Sequence, residues 1–149
     1  MTRYEFDGAN LVKTIDALGN TTQYRYDPAG RLTHRTDALG NITRYVYDAR
    51  GNLLSVILPD GAETTYAYDP LGNCISTIDP LGNETKFEYD TLSRLAKTTY
   101  ADGSTQTAEY DYNSNIVKTT DTLGNVTSAT YDKAGNRTSA TDAAGNTTA

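Results

Sequence analysis

Residues 37–53, DALGNITRYVYDARGNL, hold both turn signals of a pattern that recurs along the chain. The stretch contains two turn signals, DALGN and DARGN, separated by the strand-like run ITRYVY. An Asp side chain can accept hydrogen bonds from the backbone of a turn, and Gly readily adopts positive φ. The run between the turns alternates with the period of two that is typical of a strand. The stretch therefore predicts a β-hairpin.

The pattern recurs with a step of 21 residues. The turn glycines are Gly19, Gly40, Gly61, Gly82, Gly103, Gly124 and Gly145. A Tyr followed by Asp recurs at Tyr26 and Asp27, Tyr47 and Asp48, Tyr68 and Asp69, Tyr89 and Asp90, Tyr110 and Asp111, and Tyr131 and Asp132. A second aromatic residue stands two positions before that Tyr at Tyr24, Tyr45, Tyr66 and Phe87. We expect residues 1–149 to be a single array of about seven repeats, with units beginning near residues 7, 27, 48, 69, 90, 111 and 132 and no separate second domain.

The composition favours an all-β protein and excludes several classes of function. Twelve Tyr and many Thr suit strands, and abundant Asn, Asp and Gly suit turns. The net charge of −6 argues against a nucleic-acid partner, which requires a basic surface. The single Cys cannot form an internal disulfide. We expect no membrane span and see no signal peptide, and the array is expected to be a segment of a larger protein.

The odd length of the step has a structural consequence. Side chains alternate between the two faces of a sheet with a period of exactly two residues, so an odd step would place successive Tyr residues on opposite faces. The sequence therefore predicts that the two turns of each unit differ by one residue, or that every unit contains a β-bulge. The sequence does not distinguish these two solutions, nor does it say whether the apolar residue after the Tyr-Asp turn shares a face with the Tyr.

One hairpin cannot be stable alone, because ordering about 21 residues costs roughly 30 kcal/mol. We expect four large side chains per unit to be buried, which contribute only about 6–12 kcal/mol. Successive hairpins should therefore lie side by side in one continuous curved antiparallel sheet, with the Tyr columns stacked as a structural aromatic ladder. The unpaired strands at both ends of such a sheet could associate edge to edge.

The unit resembles the YD repeat, also called the Rhs repeat. The resemblance is clearest in YVYDARGNL at residues 45–53 and DALGNIT at residues 37–43, and it covers essentially the whole chain. The family includes bacterial Rhs polymorphic toxins, shell components of insecticidal toxin complexes, and teneurins. The resemblance implies a β-sheet strip that spirals into a hollow shell, which in bacterial members encloses a C-terminal toxin. The short turns favour a bacterial Rhs-type protein, secreted or at the cell surface.

The resemblance implies a structural role: a shell segment whose partners are neighbouring repeats and an enclosed toxin. The self-cleavage signature of the family is not matched, because Asp69-Pro70-Leu71-Gly72 and Asp79-Pro80-Leu81-Gly82 are followed by Asn and lie in register with ordinary turns. The alternative is a cell-surface module that binds carbohydrate or a receptor through exposed Tyr rows. Accessibility of the Tyr rows and a glycan-binding measurement discriminate between the two.

No residue cluster predicts catalysis, a cofactor or a metal site. His34 is the sole histidine and is interpreted as a polar strand residue. Cys74 takes a position occupied by Leu or Ile in other units and is interpreted as a small buried hydrophobic residue. The recurring Asp residues could suggest calcium, but each turn supplies one Asp, which favours turn capping. We therefore predict that the chain is not an enzyme and binds no cofactor.

Overall fold

The computed structural model describes residues 1–149 and consists of fifteen antiparallel β-strands in one sheet, ordered as in the sequence. The first eight are β1 Arg3–Asp7, β2 Asn10–Ile15, β3 Thr21–Tyr26, β4 Leu32–Thr36, β5 Ile42–Tyr47, β6 Leu53–Ile57, β7 Glu63–Tyr68 and β8 Cys74–Ile78. The others are β9 Glu84–Tyr89, β10 Leu95–Thr99, β11 Thr105–Tyr110, β12 Ile116–Thr120, β13 Val126–Tyr131, β14 Arg137–Thr141 and β15 Thr147–Thr148. The predicted all-β hairpin architecture is confirmed.

The chain divides into two compact units, which are described separately. The first contains residues 1–68 and 77–82, and the second contains residues 69–76 and 83–149. Within each unit, strands contact only the strands next to them in sequence. Each unit is therefore built from local hairpin contacts, and no second layer of structure packs on it.

The two turns of a repeat have the same size and hydrogen bonding. In one, Asp27 N–H donates to Arg31 O at 2.9 Å and Gly30 N–H donates to Asp27 O at 2.9 Å. In the other, the same two bonds join Asp37 to Asn41 and Gly40 to Asp37 at 3.0 and 3.1 Å. Both loops thus contain three residues closed by a residue at positive φ. All seven predicted turn glycines have φ between +82° and +88°.

A β-bulge, and not a difference between turns, accommodates the odd step. In the hairpin of β5 and β6, Tyr47 lies opposite Leu53 but Val46 lies opposite Ser55, so that Leu54 has no partner. The same skip follows every other described Tyr-Asp or Phe-Asp turn. The skipped residues there are Val12, Thr33, Ala96, Val117 and Thr138. The predicted non-equivalence is confirmed, and its location is the strand after the Tyr-Asp turn.

The bulge keeps equivalent side chains on one face of the sheet. Because Tyr47 lies directly opposite Leu53, the Tyr and the apolar residue after the turn share a face. The hairpins closed by the other turn have unbroken register, for example from His34 opposite Arg44 to Thr36 opposite Ile42. One extra residue per repeat therefore compensates the odd step, and the Tyr columns stay aligned within each of the two compact units.

The expectation of four buried large side chains per unit is wrong. No hydrophobic residue is buried, and the buried residues are Ser55 and Thr98, which are 6% and 9% exposed. Cys74 is half-buried and its thiol is free. The reason is geometric, since a single layer of sheet leaves both faces open and the side chains can only cover one another laterally. Stability must come from hydrogen bonding and from contacts between neighbouring hairpins.

Two turns contain Ser where the others contain Gly. Ser93 has φ of 59° and Ser114 has φ of 68°, a conformation that costs a non-Gly residue roughly 1–2 kcal/mol. We expect Ser93→Gly to raise the free energy of unfolding by about 1 kcal/mol, although it removes the exposed 3.2 Å bond from Asn73 to Ser93. Urea unfolding measures the change.

Ser104→Gly is the matched control, because Ser104 follows a turn without adopting positive φ. Glycine there gains no relief of strain and should lower stability slightly. Equal effects of the two substitutions would contradict the assignment of strain to Ser93.

Candidate functional site

The face that carries the Tyr columns is called the tyrosine face. Tyr26, Tyr47, Tyr68, Tyr89, Tyr110 and Tyr131 are all half-buried on it, as are Tyr24, Tyr45, Tyr66 and Phe87. Tyr4, on the first strand, is 58% exposed. The ten predicted ladder residues thus lie in two aligned columns within the units, covered laterally by their neighbours.

Four Tyr hydroxyls connect their hairpins to the preceding ones. Tyr26 Oη donates to the Leu11 carbonyl at 2.8 Å, beyond the point where main-chain pairing of β2 with β3 stops at Lys13 and Gln23. The same bond joins Tyr89 to Cys74 at 2.8 Å, Tyr110 to Leu95 at 2.9 Å and Tyr131 to Ile116 at 3.2 Å. Burial raises the pKa of the Tyr89 phenol above its ordinary 10.0. These hydroxyls satisfy carbonyls that the ladder leaves free.

We expect Tyr89→Phe to lower the free energy of unfolding by about 1 kcal/mol, because it leaves the half-buried Cys74 carbonyl without its donor. Urea unfolding provides the measurement. Tyr112→Phe is the control, since Tyr112 is 95% exposed at a turn. A loss at Tyr112 as large as that at Tyr89 would contradict the role of the hydroxyl bond.

Two Arg residues reinforce the junction between successive Tyr-Asp turns. Arg31 forms an ion pair with Asp27 at 2.6 Å, donates to the Asp48 carbonyl at 2.8 Å and lies 5.1 Å from the centre of the Tyr47 ring. Arg94 repeats this arrangement with Asp90, the Asp111 carbonyl and the Tyr110 ring, at 2.7, 2.8 and 4.6 Å. Each guanidinium thus holds its own turn and the next one together.

The turn Asp residues cap their own loops. Asp16 Oδ1 accepts from the N–H groups of Leu18 and Asn20 at 2.8 and 2.9 Å, and its Oδ2 accepts from the Asn20 amide at 2.7 Å. Two backbone N–H groups likewise bond Asp27, Asp48, Asp69, Asp90, Asp111 and Asp132. The predicted Asp column therefore occupies turn-capping positions, and its carboxylates lie in separate loops.

These bonds favour the ionised carboxylates. The Asn20 amide, followed by the Asn20 backbone N–H, holds the pKa of Asp16 below its ordinary 3.8, and Asn125 does the same for Asp121. The pKa values of Asp132 and Asp142 are lowered for the same reason. A depressed pKa in the folded state means that the contribution to stability is present above pH 3.8 and is lost as pH falls through the folded pKa.

We therefore expect the urea midpoint to stay nearly constant from neutral pH to about pH 5 and to fall steeply below about pH 4. Asp121→Asn should flatten part of this fall, because one protonation step is removed. A midpoint that does not change between about pH 5 and about pH 3 would show that the capping bonds do not depend on ionisation.

The remaining candidate residues do not form a chemical site. His34 Nδ1 lies 3.1 Å from Thr33 Oγ1, and the structure holds no group of three or more metal-ligating side chains. The sequences beginning at Asp69 and Asp79 form ordinary turns, closed by Gly72 and Gly82 at 3.1 and 3.0 Å. The structure contains no helix long and apolar enough to cross a lipid bilayer.

The reinforcing Arg residues and the Tyr hydroxyl bonds were not predicted from the sequence. A signal for the Arg contacts exists, since Arg31 and Arg94 stand where other repeats have Asn, and Tyr47 and Tyr110 stand at the Tyr-Asp turn that follows. The hydroxyl acceptors are main-chain carbonyls, which no residue type reveals.

The fold and its recurring contacts define a tandem β-hairpin repeat protein, in which each repeat has the same strand pairing and turn geometry. The RHS Repeat family matches residues 6–42, 30–62, 47–84, 68–105 and 110–147. The chain belongs to the RHS repeat family. No curated protein sequence matches it.

Several solved structures have a similar fold. A TcdB2-TccC3-TEV crystal structure matches with 18% identity and a TM-score of 0.75 over 98% of this chain and 10% of that one. The Photorhabdus luminescens Tc holotoxin pore matches with 21% identity and a TM-score of 0.74, over 94% and 9%. A TcdB2-TccC3-Cdc42 crystal structure matches with 24% identity and a TM-score of 0.69, over 83% and 7%. This chain thus spans a tenth or less of these proteins.

Proposed function

We propose that residues 1–149 act as one array of repeats that forms part of the wall of a larger Rhs-type shell and encloses a toxin or another polypeptide. The observation that carries the proposal is the repeated hairpin itself, with a bulge in every described Tyr-Asp hairpin and no buried apolar core. Such an array gains stability by lateral addition of units, which suits an extended wall.

The chain's place in the family supports this function. Similar folds occur in a Tc holotoxin pore and in TcdB2-TccC3, proteins about ten or more times longer than the matching segment. By the proposal, the larger protein is bacterial and is secreted or at the cell surface, and this segment contributes geometry and no catalysis.

Carbohydrate or receptor binding by the Tyr rows has less support. Tyr24, Tyr45 and Tyr66 are half-buried, and four hydroxyls of the other column already bond main-chain carbonyls. Rings that are half-buried, or held by a hydroxyl bond to the main chain, offer little free face for stacking on a sugar. Saturable binding on a glycan array, lost on Tyr45→Ala, would favour this alternative.

The test is a chimera in which residues 1–149 replace the matching repeats of TcdB2-TccC3, a protein with a hypervariable C-terminal region. Limited proteolysis measures how fast that region is cut in the parent, in the chimera and in a second chimera from which Val46 is deleted. The deletion breaks the register of β5. We expect the first chimera to protect the region as well as the parent does and the second to lose at least about tenfold in protection. A folded chimera cut as fast as the Val46 deletion would contradict the proposed function.

A further inference from the structure

In the second compact unit, small residues replace aromatic residues on the tyrosine face. The second aromatic column ends at Phe87 and continues as Ala108 and Ala129. A depression of about 200 Å³ lies at each of these Ala residues. The first is also lined by Thr98, Tyr110 and Ile116, and the second by Thr119, Thr127, Arg137 and Ala140.

The shape of the first depression indicates what fits it. Phe87 lies opposite Thr98, and one repeat later Ala108 lies opposite Thr119 in the same register. Ala108 therefore leaves open the space that the ring of Phe87 occupies one repeat earlier. An aromatic ring supplied by another molecule has the size and apolar surface to fill it.

The charge of the second depression adds a further requirement. Arg137 lies opposite Tyr131, whereas in the preceding repeat the apolar residue Ile116 lies opposite Tyr110. Arg94, Lys97 and Lys118 in the same unit each form an ion pair, whereas Arg137 forms none. An unpaired guanidinium that lines this depression is complementary to a carboxylate.

We propose that the two depressions bind an extended segment of a second polypeptide, which inserts an aromatic side chain beside Ala108 and places a carboxylate against Arg137. One strand separates Ala108 on β11 from Ala129 on β13, so that the two depressions lie about 10 Å apart, the length of roughly three extended residues. The Arg137 side chain lines the second depression from β14. This inference rests on the proposed function, because an enclosed polypeptide is the partner that a shell wall would contact. It assigns the tyrosine face of the second unit to the enclosed side.

The test is a titration of ¹⁵N-labelled residues 1–149 with the acetylated and amidated peptide Phe-Ser-Ser-Asp, followed by NMR. We expect saturable shifts at the amides of Ala108, Ala129 and Arg137. Ala108→Tyr should weaken binding at least about tenfold by filling the first depression. Arg137→Gln should weaken it about fivefold, the factor that corresponds to ~1 kcal/mol.

Arg25→Gln is the matched control, because Arg25 lies in the first unit, on the opposite face from Tyr24 and Tyr26, and forms no ion pair. It changes the net charge by the same amount and should leave the affinity unchanged. The proposal is wrong if Gly-Ser-Ser-Asp or Phe-Ser-Ser-Asn binds as tightly as Phe-Ser-Ser-Asp. It is also wrong if Arg25→Gln weakens binding as much as Arg137→Gln. Arg137→Gln decides the question even if Ala108→Tyr does not fold.

The outcome separates this inference from the function on which it rests. Absence of peptide binding together with full protection in the TcdB2-TccC3 chimera would overturn the inference alone. Loss of protection in the chimera would overturn the proposed wall function whatever the peptide does.

Discussion

Deletion of Val46 from β5 is expected to lower the free energy of unfolding by about 3 kcal/mol or more. Tyr45 lies opposite Val56 on the tyrosine face, and the residue that follows it must point to the other face. Without Val46, that residue is Tyr47, so its ring leaves the tyrosine face and its contact with Arg31 is lost. The turn capped by Asp48 is displaced as well.

Deletion of Leu54 is the matched control, and it should cost only about 1 kcal/mol. Leu54 is the unpaired bulge residue, so its removal leaves Tyr47 opposite Leu53 and Val46 opposite Ser55. Its side chain is 38% exposed and contributes little burial. Urea unfolding followed by circular dichroism measures both variants. Equal losses would show that the bulge does not carry the odd step.

Gly124→Val is expected to lower the free energy of unfolding by about 2 kcal/mol. Gly124 has φ of 83°, which a β-branched residue adopts only under strain. A Cβ atom at this position would meet nothing within 4 Å, so the loss comes from the backbone conformation and not from a steric clash. The bonds that the Leu123 and Asn125 N–H groups donate to the Asp121 carboxylate remain available to the variant.

Leu123→Val is the control for that substitution. Leu123 is in the same turn and is 85% exposed, but its φ is not positive. We expect a change within about 0.5 kcal/mol. If the two variants are equally stable in urea, the turn does not depend on the left-handed conformation of Gly124.

Strands and turns could be predicted because their signals are local. The D-x-x-G pattern specifies a three-residue loop, and alternation between the loops specifies a strand, as in β5. The odd step also revealed that an irregularity is required. Its position was not predictable, because both turns of a unit carry the same residue signals and form the same bonds.

The contacts between hairpins were less accessible from the sequence. Tyr26 reaches a main-chain carbonyl on a neighbouring strand, and Arg31 reaches the carbonyl of Asp48. Such acceptors exist at every residue, so side-chain identity does not indicate which one is used. The depressions at Ala108 and Ala129 depend on the register that aligns them with Phe87, which the sequence left open.

The absence of a buried core also follows from the architecture. Apolar side chains such as Val46 and Ile116 remain 42% and 44% exposed because a single layer of strands has two open faces. A composition with 37% hydrophobic residues is compatible with a conventional core, and it therefore could not show that none forms.

The measurement that tests the account most directly is the strand register in solution, read from NMR contacts between main-chain protons of paired residues. The account predicts contacts between Arg25 and His34, Glu109 and Lys118, and Thr130 and Ser139, with Thr33, Val117 and Thr138 skipped. Unbroken pairing, with Arg25 opposite Thr33 and Glu109 opposite Val117, would contradict it, because the Tyr columns would then alternate between the faces of the sheet.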